Sequence, residues 1–428
     1  ELAEPVGFNW RQGIFREVRM ALKRVSMCRF CECDCGILVT VENGRPVYAE
    51  GDRDHPVSKG HACGKQMAMV DVTNDPDRIV HPMKRVAGKL EPISWGQALQ
   101  EIGAKVRELK NSYGPDALGL YMGSPAAVDY ATALFVGAFK GALGIRNAWS
   151  AGSQDCQNKF FAAELMFGSF IYHPYPDIEH TDCLIILGGN PVISGGTFIN
   201  FPRAAKRLKE IDSRGKVYVI DPRRTETARA AGEHIFIRPD TDLFFLMSML
   251  NLIFKDSRYH HGAVSRVAEG IEQLEEAVEP YTPKATEKIT GIPARKVAEI
   301  TDTFLSHPRS ALYNRLGTDL GTLPTFTDWL VKAVNLVANR LDRQGCMIFS
   351  KQIVAASQFL HRLGARNGMT HSRIGGYPST LPTLNFFPAG VMADEILTPG
   401  EGQVRGLFTV GGNPVITIPN GAHLEKAL

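Results

Sequence analysis

The chain has 428 residues, 44% apolar and 22% charged, with a net charge of only +3. That charge is too small to argue for nucleic acid or an anionic membrane surface. The longest nearly apolar run, Leu243–Phe254, is too short to span a bilayer. An ordinary globular enzyme of roughly two to four domains is expected, with no nucleic-acid partner and no direct membrane span.

Beyond a short basic amphipathic stretch at Arg16–Arg24, the first residues carry little signal. Cysteines dominate the next segment: Cys28, Cys31 and Cys35, then Cys63. Such spacing turns several thiolates toward one centre, and the distant fourth closes the cage, as around a four-iron cluster. Zinc would read the same residues, but zinc sites usually pair two C-x2-C knuckles, and Cys63 has only His61 nearby. A disulfide scaffold is disfavoured by the crowding. Cys33, between Cys31 and Cys35, is expected to point away as a bystander. Ile37–Val41 and Arg45–Tyr48 read as strands around an Asn43-Gly44 turn, a hairpin that returns the chain toward its start.

Helices and strands then alternate. Ser94 and Gln97 form a capping box, with Trp95, Leu99, Ile102, Val106 and Leu109 on one helix face and a stop at Gly114-Pro115. A strand follows at Leu118–Met122, then a helical stretch from Val128 to Leu143. Further strands read at Cys183–Leu187, Val217–Ile220 and Ala311–Leu316; helices read at Phe201–Ile211, Leu243–Phe254 and from Pro293. This alternation predicts an α/β architecture with parallel sheets and right-handed crossovers.

One hexapeptide occurs twice, Gly188–Ile193 and Gly411–Ile416, both reading GGNPVI after a short apolar strand. Ligands of open α/β sheets bind beyond the carboxyl ends of strands. Gly189 and Gly412 would let backbone approach a ligand, the amides of Asn190 and Asn413 both donate and accept, and Pro191 fixes the exit direction. Simple turn chemistry is the competing reading. After the next strand, Asp221 stands where acidic residues meet ribose hydroxyls, and Arg223 and Arg224 are candidate phosphate ligands. Asp242 opens a helix, as a cap or as a base-reading carboxylate.

Together these pieces resemble the molybdopterin oxidoreductase superfamily, also called the dimethyl sulfoxide reductase family. They are C-x2-C-x3-C-x27-C with Lys65, DRIVHPMKR at Asp77–Arg85, EPISWGQAL at Glu91–Leu99, the two GGNP strand ends, VIDPRRT and RPDTD. The resemblance covers about residues 24–428. It implies a [4Fe-4S] cluster on Cys28, Cys31, Cys35 and Cys63. It also implies bis-molybdopterin guanine dinucleotide holding molybdenum or tungsten. One nucleotide would lie at Gly189, Asn190 and Pro191, touched by Asp221 and Arg223 and read by Asp242; the other would lie at Gly412 and Asn413. Lys65 would bridge pterin and cluster. Asp240 stands where the family usually has glycine.

By the same resemblance, a protein ligand to the metal would come from Trp149–Ser169, with Cys156 the best candidate and Asp155 or Ser153 its rivals. A helix running from there to Phe167 would place Cys156 at its positive end and favour the thiolate; a free buried cysteine is the alternative. Gln157 follows Cys156 where family formate dehydrogenases carry histidine, which disfavours formate. Residues 366–388 read as irregular backbone lining a substrate funnel, or as a solvated loop. His371 and Arg373 there would orient an anionic substrate.

The expected layout is a small β-rich iron–sulfur domain at 24–88, then two Rossmann-like α/β domains. One is built from 89–150 plus 305–428, and the other, 151–304, is inserted into it; each binds one pterin dinucleotide. The family's C-terminal β-barrel domain is expected to be missing from these residues. The implied function is two-electron redox on a small-molecule substrate, with electrons passing through the cluster to a partner protein. An electron-relay or assembly subunit without a working metal site, or a non-redox hydratase on the same scaffold, are the alternatives. Eight cysteines without a disulfide pattern fit a cytoplasmic location, a periplasmic one staying open if a leader was removed.

Overall fold

The structure is a computed structural model that describes residues 21–196, 201–259, 266–350, 370–379 and 385–428. Contacts divide the chain into two units. One is Glu1–Glu108 with Asn200–Pro202, and the other is Leu109–Ile199 with Arg203–Leu428. Most of the basic stretch Arg16–Arg24 falls outside the described residues.

In the first unit, Asn43 and Gly44 both adopt positive φ (51° and 77°). That is the left-handed pair a tight hairpin needs. They join β2 (Gly36–Glu42) to β3 (Arg45–Gly51), and β1 (Leu22–Met27), which the sequence did not signal, pairs antiparallel with the other side of β2. A second hairpin joins β4 (Met83–Val86) to β5 (Lys89–Pro92). The domain boundary expected at residue 88 would cut this hairpin, and the unit instead runs through Glu108. Helix α1 (Trp95–Tyr113) begins at Ser94, whose Oγ accepts from the Gln97 N–H at 3.1 Å. The capping box is only half made, because the Gln97 amide turns to Glu101. Trp95, Leu99 and Ile102, which the sequence places on one helix face, are exposed.

The second unit contains β6 (Leu118–Met122), β7 (Asn147–Ser150), β8 (Tyr175–Pro176), β9 (Cys183–Leu187), β10 (Lys216–Ile220), β11 (Glu233–Ile235), β12 (Ser310–Asn314), β13 (Met347–Ile348) and β14 (Gly406–Val410). These form a parallel sheet in the order β14-β6-β7 and another in the order β11-β10-β9-β12, with β8 and β13 as a short antiparallel ribbon. The first sheet pairs Leu118 with Gly406, joining segments far apart in the chain. In the second, Cys183 pairs with both Lys216 and Ser310. β12 therefore extends the sheet of the inserted segment beyond the expected boundary at 304/305. The reason is that Ala311, Leu312 and Tyr313 are buried and need apolar neighbours on both faces. Sequential strands β9 and β10 are adjacent while β12 lies on the other side of β9, so the direction of winding changes between β9 and β12. Ligands of such sheets bind where that change occurs.

Helix α2 (Tyr130–Leu143) follows β6, and α3 (Gln157–Phe167) follows β7. α4 (Ala204–Arg214) crosses from β9 to β10, its Leu208 and Ile211 buried. The main core is built on α5 (Asp242–Lys255), whose Phe245, Leu246, Met249, Leu250 and Ile253 are buried with residues of α6 (Ala294–Ser306) and α7 (Pro324–Val337). A second core joins Tyr121 and Trp149 to Phe387, Met392, Val404 and Leu424.

Candidate functional site

The cysteine loop is closed by a Cys28 N–H bond to the Cys35 carbonyl (2.9 Å). The Asp52–Gly60 loop then folds back: Asp52 N–H donates to Gly36 O, and Gly60 N–H donates to Asp52 O at 2.7 Å. Gly36 and Gly51 permit this return, since a Cβ on either would come within 2.6 Å of His55 or 2.4 Å of the Gly60 carbonyl. Cys63 is thereby delivered toward the others. Burial raises the Cys28 thiol, and the charges of Cys31 and Cys63 raise it further, while Lys65 opposes them.

Cys33 departs from expectation. It does not point away; its thiol donates a hydrogen bond that, more than any other influence, lowers Cys31 to about 6. None of the five cysteines forms a disulfide. Among the described residues, no three His, Cys, Asp or Glu side chains close on a point as they would around a single ion. A four-iron cluster binds one thiolate at each iron and spaces them wider. Gln66, beside Lys65, is buried with neither amide atom hydrogen-bonded. Such an orphaned polar group costs stability unless another group meets it. The donor set and this vacancy of partners fit an iron–sulfur cluster.

The two GGNPVI segments share a backbone plan. Each places Asn at the N-cap and Pro at the first position of a one-turn helix, Pro191–Ser194 or Pro414–Thr417. The glycines serve the protein's own chain. A Cβ on Gly188 would lie 2.9 Å from Thr318 N, and one on Gly189 would lie 3.0 Å from Arg315 Cγ. Likewise, a Cβ on Gly411 would lie 2.7 Å from Ala126 N, and one on Gly412 would lie 3.1 Å from Gly123 Cα. In both copies the paired glycines let a neighbouring strand's exit loop cross closely.

The asparagines then diverge. The Asn190 amide donates to Glu226 Oε2 at 2.7 Å and accepts from the Thr227 N–H and hydroxyl at 3.1 and 2.8 Å. Asn413 is exposed and accepts from Val415 N–H at 3.2 Å. Arg223, expected to hold phosphate, pairs with Glu226 at 3.1 Å. Asp221 accepts from the Arg223 N–H at 2.8 Å, and burial raises its carboxyl.

Asp242 is the first residue of α5, one beyond the Thr241 cap. Burial, then the charges of Asp240 and Asp221, push its carboxyl up to about 6. Among the described residues no cation pairs with it, and a carboxylate so placed suits a donor-rich partner such as a guanine edge, so this end of β10 and α5 fits the implied nucleotide. Asp240 has φ of 63°, a conformation glycine adopts without cost. Its carboxylate offsets that cost by binding Thr322.

Cys156 is itself the N-cap of α3, and its N–H donates to Asp155 Oδ1. Proximity to the helix end does not win: burial, then the Asp155 charge, raise the thiol well above its usual range. Metal binding would have to displace that proton. Ser153 is engaged elsewhere, donating to Ser150 O and accepting from Ala389 N–H, both at 3.0 Å. Arg373 is likewise occupied, pairing with buried Glu395 at 3.1 Å and donating to the Thr398 carbonyl at 2.8 Å. It braces the 392–398 segment rather than standing ready for substrate. His371 is exposed and bridges to Pro378. Of the expected funnel, residues 366–369 and 380–384 lie outside the described residues.

Sequence reasoning missed a buried charge network. Lys159 of α3 lies 3.1 Å from Asp328 and 3.4 Å from Asp319, and Lys332 also pairs with Asp328. The available signal was Asp328 and Lys332 four apart on an otherwise apolar helix, a spacing that puts them on one face.

Comparison with known proteins agrees with this geometry. The family model "Molybdopterin oxidoreductase" matches residues 78–428, and the "Molybdopterin oxidoreductase Fe4S4 domain" model matches residues 23–75. The chain is similar to a periplasmic nitrate reductase of Desulfovibrio desulfuricans, at 26% identity over 94% of this chain and 56% of the relative. It is 31% identical to a nitrate reductase of Symbiobacterium thermophilum over the same shares. Its fold resembles acetylene hydratase from Pelobacter acetylenicus, with a TM-score of 0.79 and 20% identity over 95% of this chain and 59% of that one. The chain thus spans little more than half the length of these proteins. The chain belongs to the molybdopterin oxidoreductase family.

Proposed function

We propose that this chain is the iron–sulfur and pterin-binding part of an oxidoreductase acting on a small substrate. The observation that carries this reading is the contiguous match to both family models over residues 23–75 and 78–428, with four cysteines and Lys65 gathered in the first stretch. Cys28, Cys31, Cys35 and Cys63 would hold a [4Fe-4S] cluster. Asp221 and Asp242 would bind one pterin dinucleotide and the Asn413 turn the other, with Cys156 as protein ligand to molybdenum or tungsten. When bound, these groups supply two-electron chemistry by oxygen-atom or hydride transfer and single-electron passage outward.

The chain's own residues position and insulate. Lys65 would place a positive charge between pterin and cluster. Asp242, whose carboxyl burial raises to about 6, would present a carboxylate to a donor-rich base at neutral pH. Asn190 and Arg223, held by Glu226, would shape the nucleotide floor rather than touch it through free side chains. Gln157 after Cys156 argues against formate, and the nitrate reductase relatives support an anionic substrate. We read the α/β part as two Rossmann-like domains, the inserted one reaching past β12. An electron-transfer partner would receive the electrons. No helix among the described residues is long and apolar enough to cross a membrane.

Elemental analysis of protein purified without air tests the reading. Molybdenum or tungsten near one per chain, with iron and sulfide, is expected. Iron and sulfide alone would favour an electron-relay subunit. Cys156→Ala should alter the metal spectrum; an unchanged spectrum with full activity removes Cys156 as ligand.

A further inference from the structure

Cys33 is the thiol of the cluster region that the four-cysteine reading leaves without a task. It is half-buried and sits in a tight reversal of the chain. The Asp34 N–H reaches back to the Cys31 carbonyl at 3.4 Å, and Asp34 takes up a φ of 43° to make the turn. The Cys28 N–H bond to the Cys35 carbonyl at 2.9 Å closes the loop around that reversal. Cys33 is thereby folded back onto Cys31. The Cys31 sulfur accepts both the main-chain N–H and the thiol S–H of Cys33. The Cys28 sulfur accepts the main-chain N–H of Phe30, again two residues further on. A backbone donor two positions along is therefore common to both sulfurs, and the thiol donor comes in addition at Cys31.

An electron added to an iron–sulfur cluster spreads negative charge onto its sulfurs. Donors aimed at a sulfur stabilise the reduced form more than the oxidised one, which is why such bonds help set the potential. A thiol is a weak donor, but a charged acceptor strengthens the bond. The nearby charges act on Cys31 in opposite senses, Lys65 favouring negative charge there and Glu32 opposing it.

We propose that Cys33 is a positioning residue for the [4Fe-4S] cluster, acting through Cys31, whose sulfur it holds by an S–H bond that raises the reduction potential. Reduction adds one electron to the cluster. The S–H proton stays on Cys33 in both states, so no proton is transferred. The inference rests on the cluster assigned above to Cys28, Cys31, Cys35 and Cys63.

A redox titration of the cluster-loaded full chain, without air and followed by electron paramagnetic resonance, tests this in the parent, Cys33→Val and Cys33→Ala. Valine keeps most of the side-chain volume and removes the donor, whereas alanine removes both. Iron and sulfide should stay at the parent level in each variant. Both should favour the oxidised cluster about fivefold at a fixed potential, the scale of one hydrogen bond. That is a fall of about 40 mV in midpoint, at about 59 mV per tenfold for one electron. A purely structural role would make the shift follow the lost volume, so that alanine moved the midpoint and valine did not. That result, or an unmoved midpoint in both variants, would overturn the proposal. Loss of iron in both would make Cys33 a ligand instead and overturn it as well. A parent that carries iron and sulfide while its variants keep its midpoint removes only the role of Cys33. A parent without a cluster removes the functional reading together with it.

Discussion

Asp240 and Thr322 are clasped together: the Thr322 N–H donates to Asp240 Oδ1 at 2.7 Å and its hydroxyl donates to Oδ2. The clasp holds a non-glycine residue at φ of 63°, which costs about 1 kcal/mol or more. This explains how the chain carries aspartate where its family usually has glycine. Asp240→Gly should therefore destabilise the native protein by about 1 kcal/mol, through loss of the two bonds. In a Thr322→Val background, which keeps the N–H bond to Asp240 but lacks the hydroxyl's, the same change should cost less, because one bond rather than two is lost. Urea unfolding of the four proteins of this cycle decides the matter; equal effects in both backgrounds would show that the clasp does not offset the strain.

Asp242 predicts a pH dependence. Its carboxyl sits near 6 in the folded state and near about 4 when unfolded. Between those values the folded chain keeps a proton the unfolded chain has released. Stability should fall as pH rises through this window and level off above it. Asp242→Asn removes that contribution, so the variant should gain roughly 2 kcal/mol over the parent at pH 7 and almost nothing at pH 4. Asp319, also pushed to about 6 by burial, gives a parallel slope present in both proteins. A difference constant across pH would refute the assignment.

Five thiols occupy the region of a cluster that takes four. Cys35→Ser or Cys63→Ser should abolish the visible absorption of the cluster and lower bound iron. Cys33→Ser should keep iron content and shift the spectrum only slightly, by removing the hydrogen bond to Cys31. Loss of iron in Cys33→Ser, with retention in Cys35→Ser, would exchange their roles.

Lys159 is buried between Asp319 and Asp328. Removing one partner of a buried pair strands the other, at about 3–5 kcal/mol. Lys159→Met should cause a loss of that order in chemical denaturation. Adding Asp319→Asn should recover part of it, whereas a mere surface pair would lose under 1 kcal/mol and recover nothing.

Local signals were sufficient for much of this protein. The Asn43-Gly44 hairpin, the strands at 118–122, 183–187 and 217–220, and the long apolar helix after Asp242 all follow from short-range pattern and turn chemistry. The cysteine spacing marked the cluster region because ligand geometry constrains neighbours in sequence. Tertiary structure alone decided where neighbours come from afar. Domain edges moved because β5 needs β4 and β12 needs β9. Asn190 is tied to Glu226 and Thr227, which follow it by more than thirty residues, and Cys33 bonds Cys31. The Lys159, Asp319, Asp328 and Lys332 network stayed hidden because its charges balance only when three separated segments pack together. Pattern along a chain encodes which face is buried; the partner that makes a buried charge tolerable is fixed only by packing.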